Sequence, residues 1–98
     1  MAETVSVGEA VGSDLATARE ALAQIFKRGE TVLMVEETFD AARSSWFFSI
    51  LRKGPQARWV RQRYRYDTAD VVLFFLGERP VSDQELSQAH RSAEVIYA

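Results

Sequence analysis

Ninety-eight residues, 47% of them apolar and 11% aromatic, describe one folded domain with a modest core and leave no room for a second. A chain of this size buries roughly 60–70% of the surface its unfolded form exposes. There is no cysteine, which excludes disulfides, thiolate metal sites and a cysteine nucleophile, and a single histidine leaves few ligands for a transition metal.

The net charge of −2 hides a division. Residues 41–66 hold Arg43, Arg52, Lys53, Arg58, Arg61, Arg63 and Arg65 and no acid, a charge of +7. The remainder holds all 14 acids and five bases, a charge of −9. The first five residues have neither the basic nor the apolar stretch of a secretory signal. The longest apolar run, residues 71–76, is far short of the roughly 20 residues a membrane helix needs. The expectation is a soluble, cytoplasmic protein with no membrane partner.

Residues 1–12 are small and polar, with Gly8 and Gly12, and read as a mobile N-terminal segment carrying only a faint strand-like alternation at Val5, Val7 and Val11. Ser13 can cap a helix over residues 14–28, in which Leu15, Ala18, Leu22, Ile25 and Phe26 recur at helical spacing. Lys27, Arg28 and Gly29 make its C-terminal signature.

Four strands follow, over residues 31–38, 45–52, 58–66 and 71–76. Their connections are short, which favours an antiparallel meander over parallel crossovers. Gly77 to Pro80 reads as the end of the sheet. Ser82, Asp83, Gln84 and Glu85 form a capping box, and Val81 and Leu86 have the spacing of a hydrophobic staple. The last helix runs towards Ile96 with Leu86, Ala89 and Ala93 on one stripe. The order α-β-β-β-β-α predicts an α+β two-layer sandwich: an antiparallel four-stranded meander sheet with the N-terminal and C-terminal helices on one face.

Strand alternation places Val60, Tyr64 and Tyr66 towards the helices and Trp59, Arg61, Arg63 and Arg65 away from them. The second and fourth strands are apolar on both sides, unlike a sheet with one wet face. A second copy of the chain, bound through the sheet, is the expected cover.

The arginines at every second position would stand about 6–7 Å apart, close to the phosphate spacing of an extended nucleic-acid strand. Trp59, and Trp46 if it shares that face, could then stack on bases. The competing explanation is a solvated face, its arginines paired with cross-strand carboxylates such as Glu36 or Glu37 and packed over aromatic rings. The overall negative charge argues against a dedicated nucleic-acid binder.

Glu36 and Glu37 are adjacent in a strand and cannot form a pair on one surface. His90 borders the apolar stripe of the last helix and reads as structural. Ser44 and Ser45 lack a nucleophile elbow, and neither Gly8 nor Gly12 belongs to a phosphate-binding loop. The α-β-β-β-α part of the order superficially resembles a double-stranded-RNA-binding domain. The fourth strand and the acidic start of the last helix at Ser82, Asp83, Gln84 and Glu85 depart from that family's pattern, and no function follows from the likeness.

The sequence therefore points to a non-enzymatic interaction or accessory protein without cofactor or metal. Its contact surface would carry Trp59, Arg61, Arg63, Arg65 and Trp46. The expected partner is a protein or a second copy in a homodimer, and the alternative is a single-stranded nucleic acid or other polyanion on the same arginines.

Overall fold

The computed structural model describes the backbone of residues 7–97 and the side chains of residues 14–96. The first helix, α1 (Val7–Ala23), buries Ala18 and Leu22 completely and half-buries Leu15, the stripe its periodicity implies. It begins earlier than expected, so residues 7–12 are helical, and the rest of the expected mobile segment, residues 1–6, lies outside the described residues. It also ends earlier. After Ala23 the backbone tightens, with Ile25 N donating to Leu22 O (3.2 Å) and Phe26 N to Ala23 O (3.1 Å). Lys27, Arg28 and Gly29 close a separate turn, in which Glu30 N donates to Lys27 O (3.0 Å) and Gly29 takes φ +82°.

The meander is β1 (Thr31–Asp40), β2 (Ser45–Lys53), β3 (Trp59–Asp67) and β4 (Val72–Pro80), each antiparallel to the next. Carboxylates shape two of its turns. Asp40 Oδ1 accepts from the amides of Ala42 (3.0 Å) and Arg43 (3.3 Å), and Asp67 Oδ1 accepts from those of Ala69 (2.9 Å) and Asp70 (3.0 Å). β4 does not stop at Leu76. A bulge opposite the Arg63/Tyr64 step absorbs one residue, and the strand continues through Gly77 to Pro80. An edge strand tolerates this, since one side of its backbone has no ladder to disrupt.

The second helix, α2 (Asp83–Ser92), starts as its capping residue dictates: Ser82 Oγ accepts from Glu85 N at 3.1 Å. Val81 and Leu86 pack beside the same cluster, as the staple spacing implies. The helix stops at Ser92, and Val95, Ile96 and Tyr97, which suit a strand, form β5 (Glu94–Tyr97) against β1. The sheet order is β4-β3-β2-β1-β5.

The α+β class, the antiparallel meander and the two terminal helices are as the sequence implies, with β5 added. The placement of both helices on one face is not. Ala18 and Leu22 of α1 cluster with Val32, Met34, Trp46, Phe48, Ile50, Tyr64 and Tyr66. Ala89 of α2 clusters with Leu33 and Leu51, flanked by Trp59, Val81 and Leu86. These sets occupy alternate strand positions, so the helices lie on opposite faces. The topology requires a crossing. α2 carries the chain from the β4 edge to the β5 edge, four strand spacings or about 19 Å away, and its ten residues span about 15 Å. With α1 already packed on one face, the crossing takes the other. Much of the second apolar surface on β1 and β2 is therefore covered by α2 of the same chain.

Ion pairs fasten the α1 face. Arg19 Nε donates to Glu37 (2.6 Å) and its two terminal nitrogens donate to Glu94 (3.1 and 2.8 Å), so one guanidinium joins α1, β1 and β5. Glu36 points to the other face and accepts from Ser49 Oγ at 3.1 Å, as alternation demands.

Candidate functional site

Trp59, Arg61, Arg63 and Arg65 share the α2 face of β3, each in a different setting. Trp59 packs in the α2 cluster, edge-on to His90 with ring centroids 5.8 Å apart. It is a wall between sheet and helix, and His90 is its exposed neighbour.

Arg61 lies 3.4 Å from Glu85 and 3.6 Å from Glu36. Its cross-strand neighbour is Arg79, and like charges directly opposite repel. Glu85 sits between them, accepting from Arg79 at 2.9 and 2.7 Å. The expected return contact of the capping box is thus replaced by a bridge to two arginines. Arg79 first, then Arg61, holds the Glu85 carboxyl below the usual carboxylate range. A lowered folded-state value means that the bridge stabilises fully above the ordinary carboxylate pKa of about 4.3 and fades as pH falls through the folded value. Glu85→Gln should therefore lower stability at neutral pH by about 0.5–1 kcal/mol and flatten its acid decline, as read from urea midpoints at several pH values.

Arg65 lies over the Phe74 ring, 4.4 Å from its centroid, donates to Ser45 Oγ (3.1 Å) and reaches Asp67 at 3.5 Å. Arg63 is different. It is exposed, and among the described residues its side chain has no hydrogen-bond or ion-pair partner. Its cross-strand neighbours are Ser49 and Gly77.

Trp46 is not on this surface. It is 6% exposed on the α1 face, 5.1 Å from Phe39 and stacked at 6.5 Å on Phe48. Alternation puts Trp46 opposite Tyr66 and so opposite in sense to the arginines. Its indole Nε1 is buried without an acceptor among the described residues.

Part of the solvated-face explanation is realised: Arg61 meets Glu36, and Arg65 covers an aromatic ring. Glu37 is engaged by Arg19 on the far side. Among the described residues no three histidine, aspartate or glutamate side chains gather as metal ligands would, and no helix is long and apolar enough to cross a membrane.

The feature that the arginine pattern did not reveal is β4 itself. Val71, Val72, Phe74, Phe75 and Leu76 are exposed, Val71 by 66% and Phe75 by 57%. They account for five of the seven exposed large apolar residues among those described. They lie along a sheet edge whose outer backbone groups pair with no other strand among the described residues. Val71 enters the strand at φ +56°, a conformation costly for a β-branched residue. The signal was present in the sequence as a run apolar at both alternations. Residues 72–77 of β4 form one continuous margin of the sheet with Arg63 and Arg65, and the α2 contact with β4 falls further along, where Glu85 meets Arg79. No family model, curated protein or solved structure matches this chain.

Proposed function

We propose that this is a non-enzymatic protein-interaction module that engages a protein strand or surface along β4 and the adjoining Arg63/Arg65 part of the α2 face. The exposure of five large apolar side chains on one uncovered sheet edge carries the reading. Backbone groups of the edge supply hydrogen bonds, Phe74 and Phe75 supply apolar anchors, and the arginines pair with carboxylates at the rim. Trp59 and Trp46 take no part, since one supports α2 and the other is in the core.

A phosphate track is a weaker fit to these residues. Arg61 is shared with Glu36 and Glu85, and Arg65 with Phe74 and Asp67, which leaves Arg63 as the ladder's unengaged cation. Single-stranded oligonucleotide should not bind even at low salt.

A photo-crosslinking side chain placed at Phe75 in cells should trap discrete protein adducts, while the same group at exposed Gln24, just beyond α1, should not. Adducts equal at both positions, or none at residue 75, would refute the reading.

A further inference from the structure

We propose that the partner is a second copy of this chain, added antiparallel along β4 about a two-fold axis normal to the sheet, so that two protomers share one ten-stranded sheet. This rests on the interaction reading above and names its occupant.

β4 is complementary to itself. No charge occurs from residue 71 to residue 77, and Leu73 and Phe75 face one side while Val72 and Phe74 face the other. An antiparallel copy meets apolar side chains with apolar side chains on both faces at once. Edge strands usually carry charges that prevent such pairing, and here Glu78 and Arg79 come only after the bulge, where Gln62 and Glu85 hold them.

The charges left over also match. The antiparallel arrangement brings the turn at residues 67–70 of one copy beside Gly77 of the other. Arg63 stands across from Gly77, exposed and unpaired, and Asp70 is exposed with no partner for its carboxylate among the described residues. Apart from Gly77 and its two chain neighbours, no atom of the described residues lies within 4 Å of where a side chain on Gly77 would begin. The long Arg63 side chain thus has an open lane across the edge towards Asp70 of the partner copy, and the two-fold repeats the pair. The opposite edge offers no equivalent: β5 has four residues, and Glu94 there is held by Arg19. Pairing through one edge closes as a dimer and does not propagate.

Sedimentation equilibrium of the full chain over a wide concentration range is the test. The mass should rise from one chain to two. Arg63→Asp and Asp70→Arg, each a change on the surface, should raise the dissociation constant roughly tenfold or more, and the double exchange should recover most of that loss. Unaltered circular dichroism, and unfolding midpoints unaltered at dilutions where the parent is also monomeric, confirm that the variants are folded. A mass of one chain at every concentration overturns the proposal, as does a dimer indifferent to both single changes or not recovered by the double exchange. If residue-75 crosslinks then carry a different protein, the interaction reading survives and the second copy does not.

Discussion

Phe48→Ala should cost about 3–5 kcal/mol, enough to leave a domain of this size largely unfolded near body temperature. Phe48 is 1% exposed at the centre of β2, stacked on Trp46 and paired across the ladder with Tyr64. Ala18 and Leu22 of α1 belong to the same cluster, so the cavity would lie among side chains held by strands on both sides and a helix above. Such a site cannot collapse without moving β-ladder partners. Phe74→Ala is the contrast. Phe74 is 39% exposed on the edge strand, and the loss of its ring, with the Arg65 contact it makes, should cost the monomer only about 1 kcal/mol. Urea unfolding of the two variants side by side separates core from contact surface. Similar losses in both would mean that β4 is part of the core.

The second large effect belongs to Arg52 and Glu30. Arg52 donates from Nε at 2.7 Å and from a terminal nitrogen at 2.6 Å, and both side chains are only 12% exposed. The guanidinium also stands 5.2 Å from the centroid of Phe26 and ties the turn after α1 to β2. Removing either partner leaves a half-buried charge without its counter-ion, so Arg52→Ala or Glu30→Gln should each cost about 2–3 kcal/mol. Arg52→Met with Glu30→Met should cost less than the two single losses combined, because neither charge remains stranded.

The pH dependence has a definite sign. Hydrogen bonding to Arg52 is the main cause that holds the Glu30 carboxyl below its ordinary value. Its stabilisation is thus complete above about pH 4–5, where the unfolded-state carboxyl is ionised, and it is lost as pH falls through the lower folded value. Glu30→Gln should remove that part of the acid limb and leave the neutral-to-alkaline profile parallel to the parent. A variant that keeps the parent's full acid sensitivity would place the effect on another carboxylate.

How far the chain was legible depends on whether a signal is local. The four meander strands, their turns and the Ser82 cap are written within a few residues, and they are found close to where those residues point. The ends of α1 and α2 depend on distant partners. Phe26 looked like the last apolar position of a helix, yet it lies under Arg52 of β2. Ile96 continued a helical stripe, yet an open edge on β1 lay within reach. The side taken by α2 follows from the need to cross to β5, so missing β5 also displaced the helix.

The site was legible in part for the same reason. Alternation put Trp59, Arg61, Arg63 and Arg65 on one face. It could not tell that Glu85 would neutralise one arginine and Phe74 would shelter another, because both come from later elements. Trp46 depended on the relative alternation of two strands, fixed only by the register that sets it opposite Tyr66.

The order of the strands also bears on the path by which the chain folds. From β1 to β4 every neighbour in space is a neighbour in sequence, so hairpins can zip with short loops and little entropy lost at each closure. β5 cannot join that way. Thr31 must meet Tyr97 across most of the chain, after α2 has traversed the sheet. The Arg19 contact, which binds Glu37 and Glu94 together, then works as a late latch. Contacts made after the rate-limiting step govern how fast a protein comes apart more than how fast it assembles. On this ordering, the clasp between the first helix and the last strand sets the lifetime of the native state, while the meander sets the speed of reaching it.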